Sequence, residues 1–132
     1  MKSKLISETS GQRTFVAVAH PGEEAIAALT TFAEQKGIAG ASLTAIGAFK
    51  KATVGWFDFG SKSYRKIAVD DNGKQCLHIH AVLGLSDGRT RGGHLLEGIV
   101  QPTLEVTVLE SPAHLRRRKR RDLGIALIDL EA

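Results

Sequence analysis

The sequence predicts an α+β domain, one main helix packed on a largely antiparallel sheet. Two observations predict it. One stretch, about residues 22–36, carries apolar residues at helical spacing, and the other apolar segments are short β-rich runs punctuated by glycine, proline and asparagine. With 132 residues, all of 1–132 reads as a single domain, long enough to bury a core unaided.

The elements follow in order. Thr14–Ala19 is rich in β-branched and aromatic residues and stops at Pro21-Gly22, as a strand and its turn would. Over 22–36, Ala25, Ile26, Leu29, Phe32 and Ala33 share a face, Glu23 and Glu24 suit the first turn, and Gly37 suits the stop. Ala41–Phe49 and Ala52–Phe57 read as two strands whose Gly47 and Gly55 fit a bulge or a close approach. Tyr64–Val69 is a further strand, and Asn72-Gly73 signals a tight hairpin into one from Gln75 to about Leu85. After the Ser86-Asp87-Gly88 turn come Leu95–Val100 and Leu104–Leu109, with Pro102 as a break between them. In the second, Leu104, Val106 and Val108 face one way and Glu105 and Thr107 the other. Gly124–Leu130 closes the chain as a short strand.

Composition narrows the class. Hydrophobic residues at 42% and charged residues at 24% are globular values, and at 5% aromatics the core must rest on Ala, Val, Ile and Leu. A lone cysteine, Cys76, excludes an internal disulfide. The opening MKSKLISETSGQR has no apolar signal region, and no run approaches the roughly 18 apolar residues of a membrane span, so a cytoplasmic protein with no membrane partner is expected. The net charge of +4 is not a general property of the surface: Arg116, Arg117, Arg118, Lys119, Arg120 and Arg121 supply six of the 18 bases, and the remainder of the chain is slightly acidic.

The chemistry is concentrated in LHIHAVLGLSDGRTRGGHLLEG, residues 77–98. Strand alternation puts His78 and His80 on one face, and His94 returns after the Ser-Asp-Gly turn behind Gly92 and Gly93. Three imidazoles with an open fourth position are the arrangement of a catalytic zinc site. The competing reading is that these histidines hydrogen-bond across a subunit interface. A cupin is excluded, because Ala81-Val82-Leu83-Gly84 stands where its glutamate should follow the H-x-H pair.

The segment GGHLLEG after the H-x-H strand, Thr103 and Glu105 in PTLEV, AIGAF at 45–49, the Gly55–Asp58 strand and the closing GIALIDL together resemble the PPC domain (plants and prokaryotes conserved, DUF296), from Arg13 to Leu130. The resemblance implies a compact fold with a mainly antiparallel sheet, a homotrimer as the usual assembly, and a histidine cluster that several prokaryotic members use to hold a divalent metal, zinc foremost. Plant members join the domain to AT-hooks in nuclear DNA-binding proteins. No settled enzymatic activity comes with the family, so the resemblance leaves open whether this chain is an enzyme.

Residue by residue, His78, His80 and His94 match the family's histidines, as ligands for a metal or part of a small-molecule site. Glu97 matches the acid of GGHLLEG, either orienting a ligating imidazole or serving as a general base, against the plainer reading of a sheet-surface ion pair. Thr103 and Glu105 read as structural, and Cys76, on the strand parity of His78 and His80, reads as packing before it reads as a thiolate ligand. One departure stands out: family members usually carry another apolar strand between the Tyr64–Val69 strand and the H-x-H strand, where this chain has only Asp70–Lys74, so a sheet edge or gap and a weaker trimer are expected.

The basic run at 116–121 is the second candidate site. It can bind nucleic-acid phosphates weakly and without sequence preference, or be a solvated loop held open by self-repulsion. The AT-hook core is absent, and one helix packed on a sheet leaves no recognition helix for a major groove.

Overall fold

In the computed structural model, which describes residues 1–58, 63–64, 77–111, 116–120, 122 and 125–129, alternation along two strands builds the core. Phe15, Ala17 and Ala19 of β2 (Gln12–Ala19) are buried on one face. They lie directly opposite Val108, Val106 and Leu104 of β7 (Thr90–Glu110), the apolar parity expected from sequence. Helix α1 (Ala25–Lys36) covers that face with Ala25, Leu29 and Phe32, and Phe32 meets Phe15 edge-on at 5.5 Å. Besides the two Phe, this cluster consists of Ala, Val, Leu and Ile, as the scarcity of aromatics requires.

The helix begins later than the apolar periodicity suggests. Glu24 is its N-cap and Glu23 precedes it, so neither acid lies in the first turn. Its end is the expected one: Gly37 adopts the left-handed conformation (φ 62°), and Ile38 closes the turn by donating its N–H to the Ala33 carbonyl at 3.0 Å.

The sheet has five strands, all paired antiparallel: β1 (Lys2–Thr9), β2, β7 and β3 (Ala41–Gly55) in that order, with β6 (His80–Gly84) also on β7. Strand β1 is an addition to the elements read from sequence. It is exposed throughout, with lysines at positions 2 and 4, and the positive-φ pair Ser10-Gly11 turns it into β2.

Two predicted breaks are absent. Ala41–Phe49 and Ala52–Phe57 do not form separate strands, because β3 runs unbroken from Ala41 to Gly55 and Phe57 begins a separate short strand. Pro102 does not divide β7 either. Gly47 pairs with Leu104 and Phe49 with Val100, so the residues around Pro102 fall in a register irregularity where a missing N–H costs no ladder bond.

Strand β7 also organises the rest of the sheet. One flank is lined by β3 and the other is shared end to end, with β6 against Thr90–His94 and β2 against Leu104–Leu109. The interval between β6 and β2 is bridged by the start of the helix: Val100 donates to the Glu23 carbonyl, Gly22 donates to that of Val100, and Gly98 donates to the Glu24 carboxylate. The face of the sheet away from the helix has no second layer among the described residues, and it carries Ile46 (76% exposed) and Leu109.

Two short ribbons complete the structure: β4 (Phe57–Asp58) with β5 (Ser63–Tyr64), and β8 (Arg116–Arg120) with β9 (Ile125–Asp129). The Asn72-Gly73 hairpin, all but Tyr64 of the Tyr64–Val69 strand, and Cys76 lie outside the described residues. Among the described residues, no helix is long and apolar enough to cross a membrane.

Candidate metal centre

A tight turn sets the register that makes the site. Asp87 accepts hydrogen bonds from the Arg89 backbone N–H at 3.0 Å and its Nε at 2.7 Å, and Gly88 adopts φ 81°. Leu85 N–H donates to the Arg89 carbonyl, closing the loop. The Arg89 guanidinium holds the Asp87 carboxyl below its ordinary pKa, so the turn keeps its charged acceptor. Strand β6 therefore pairs with β7 so that His80 stands directly opposite His94.

The H-x-H strand begins later than expected. Residues 77–79 are not part of β6, and His80 is its first residue. Pairing nonetheless continues past the strand end, because Leu95 donates to the Ile79 carbonyl at 2.9 Å, and this keeps His78 beside its neighbour. The His78 and His80 rings stack at 5.0 Å with 17° between their planes, and their Nε2 atoms are 3.0 Å apart. His94 lies edge-on to both, its ring 4.4 Å from His78 and 5.0 Å from His80. One nitrogen from each ring lies within 4.8 Å of the other two.

The three imidazoles differ in setting. His78 and His80 are exposed, whereas His94 is buried beneath them at 5% exposure. Burial first, and then the charges that His78 and His80 can carry, push the His94 pKa down from 6.5 to about 4. At neutral pH its ring is therefore unprotonated. Nitrogens bound to one tetrahedral zinc at about 2.0–2.1 Å stand about 3.3 Å apart, so to hold an ion the His78–His80 pair, at 3.0 Å, opens slightly and any wider spacing, none above 4.8 Å, closes. The donor set fits zinc or another imidazole-loving divalent metal.

Glycine makes the room. On its other side His94 pairs with Gly55 of β3, and a Cβ on Gly93 would lie 2.7 Å from the Gly55 carbonyl oxygen. Two backbones thus pass at the point where His94 is buried. The link between Gly55 and His94 is invisible in sequence, since only the register reveals it.

The remaining candidates lie elsewhere. Glu97 is not a member of the triad: its carboxylate meets Lys51 Nζ at 2.9 Å and Thr53 Oγ1 at 3.5 Å. Glu105 is exposed, and Thr103 presents its carbonyl to Gly47. The basic run is not a loop: Arg116–Arg120 is strand β8, with Arg117 through Arg120 paired to the apolar residues Ile128, Leu127, Ala126 and Ile125. Arg121 lies outside the described residues.

Comparison with known proteins agrees with this architecture. The sequence matches the Plants and Prokaryotes Conserved (PCC) domain over residues 6–72 and 66–112. A candidate DNA-binding protein of Bacteroides thetaiotaomicron is similar at 25% identity and TM-score 0.78, with 96% of each chain covered. A plant- and prokaryote-conserved protein of Pyrococcus horikoshii is similar at 26% identity and TM-score 0.76, covering 97% of this chain and 94% of that one. A metal-containing protein of Archaeoglobus fulgidus is similar at 29% identity and TM-score 0.74, covering 97% of this chain and 99% of that one. No curated protein matches the sequence.

Proposed function

The chain belongs to the Plants and Prokaryotes Conserved domain family, and from that premise we propose that it binds one divalent metal ion, zinc foremost, through His78, His80 and His94. The observation that carries the proposal is the convergence of three ring nitrogens within 4.8 Å, one of them on a buried histidine kept neutral by its surroundings. That a similar protein of A. fulgidus is described as metal-containing supports the same reading.

In this reading each histidine has its own part. His94 is the fixed anchor, its backbone paired to β6 on one side and β3 on the other and its ring unprotonated at neutral pH. His78 and His80 close the site from the solvent side, giving up their mutual contact at 3.0 Å to point both Nε2 lone pairs at the ion. Three protein ligands leave a fourth position for water or an oxygen of a small molecule, whose carbonyl or bound water the ion would polarise. The working assembly is a homotrimer. Ile46 (76% exposed) and Leu109, on the sheet face away from the helix, give such an assembly an apolar surface to cover.

The test uses protein purified without a histidine tag and dialysed against micromolar zinc. Elemental analysis should find close to one zinc per subunit, and His80→Ala should lose it with the fold intact. Wild-type protein that stays metal-free overturns the proposal. Glu97→Gln tests the acid of the motif. A tenfold or greater loss of affinity assigns it the orienting role, and an unchanged affinity leaves it as the surface partner of Lys51.

A further inference from the structure

All of the chain's net charge lies in one ribbon. Residues 116–129 contain six bases and two acids, while the rest of the chain has twelve of each, so the whole +4 falls within this stretch. The structure gives that charge a shape. Five consecutive basic residues form β8, and its partner β9 is apolar at Ile125, Ala126, Leu127 and Ile128, with its one acid, Asp129, at the far end opposite Arg116. The second acid, Asp122, binds Arg120 at 2.9 Å. A β-strand advances about 3.3 Å per residue, so positions 116, 118 and 120 share one face of the ribbon at intervals of about 6.6 Å.

We propose that the β8–β9 ribbon is a sequence-independent contact for the backbone of double-stranded nucleic acid. A duplex is a line of fixed negative charges, and neutralising them with arginine or lysine releases counterions. The major groove, about 12 Å wide, admits a two-stranded antiparallel ribbon. Single strands are gripped largely by stacking bases on aromatic rings, and residues 116–129 contain no aromatic residue. Contacts to phosphate carry no sequence information, so binding through the backbone follows charge and not sequence.

The test is fluorescence anisotropy with a labelled 20-base-pair duplex of arbitrary sequence, titrated across a salt series. Three phosphate contacts predict a log–log salt slope of about −2.7, which is about a 40-fold loss of affinity between roughly 50 and 200 mM salt. The variant R116Q/R118Q should reduce the slope by about 1.8. D122N removes the acid bound to Arg120 and should tighten binding about two- to fivefold, so loss of fold cannot mimic both results. Chelating the metal should change nothing, because the histidine site is a separate element of the molecule. No binding at 50 mM salt, a slope shallower than −1, double-variant binding equal to wild type, weaker binding by D122N, or equal affinity for a polyglutamate peptide or anionic vesicles would each overturn the assignment.

Discussion

Acidifying the metal-free protein should expose the cost of burying His94 as a neutral base. In the unfolded chain this imidazole titrates near 6.5, and in the folded protein near 4. The folded-state value is the lower one, so the unfolded chain binds more protons between them and stability falls as the pH drops through that window. At pH 7 the contribution is intact. By pH 4.5 the two values imply a loss of about 2 kcal/mol from this side chain alone, within a limit of about 3 kcal/mol at still lower pH. The perturbation is His94→Leu, which fills the buried position without a titrating group. Urea unfolding in the presence of a chelator, at pH 7 and pH 4.5, yields the change in stability for each protein. Wild type should lose about 2 kcal/mol more than the variant over that interval, because losses at Glu23, Glu110 and Asp87, whose carboxyls are also held below their ordinary pKa values, are common to both. Equal losses would refute the reasoning: His94 would then be reached by water and protons in the folded state. Saturating zinc supplies the complementary arm. If zinc binds the native triad as proposed, a concentration a hundredfold over its dissociation constant should add about 2.7 kcal/mol at pH 7. That gain should shrink at pH 4.5, where protons compete for the ring nitrogens.

Two further predictions concern the frame of the site. Gly93→Ala drives a methyl group to 2.7 Å from the Gly55 carbonyl, so β3 and β7 must separate beside His94. The variant should lose about 1–3 kcal/mol in denaturant melts and bind zinc more weakly, whereas Gly92→Ala, whose nearest contact is 3.4 Å, should match wild type in both. Glu24 serves two N–H groups, those of Ala27 at 2.8 Å and Gly98 at 3.0 Å. Glu24→Ala should cost about 2–3 kcal/mol by thermal or chemical unfolding, as a lost cap plus an unsatisfied buried donor. Glu24→Gln, which retains a single acceptor oxygen, should fall about midway, and an alanine variant as stable as wild type would show that water replaces the clamp.

How much of this could be read from the residues depends on whether the deciding interaction is local. The helix was legible because its face and its Gly37 stop are carried by one short segment. The core parity of Leu104, Val106 and Val108 was legible because alternation is a property of one strand. Glu24 was placed one position too far into the helix: it is the N-cap, in extended backbone, and its carboxylate serves both the local Ala27 N–H and that of Gly98, 74 residues away, a partner that no local reading sees. Pro102 was read as a break because proline cannot continue a ladder, yet the ladder is irregular where it sits. The basic run was read as a loop because self-repulsion disfavours order, but pairing with Ile125–Ile128 supplies the partner strand that a local reading cannot see.

The histidine site shows both cases within one motif. The spacing of His78 and His80 follows from their sequence, and their stacked rings follow from the spacing. His94 could be named as the third member but not placed, because its position depends on a turn that sets one register and on Gly55, which comes from a strand 39 residues earlier. Burial separates the three chemically, since it is the first cause that lowers the His94 pKa, while the other two remain in solvent. The fold therefore does more than gather three imidazoles. In the proposed site one imidazole would be held neutral and the other two would close on the ion, so disturbing the Gly93–Gly55 contact beside His94 should weaken metal affinity without removing a ligand.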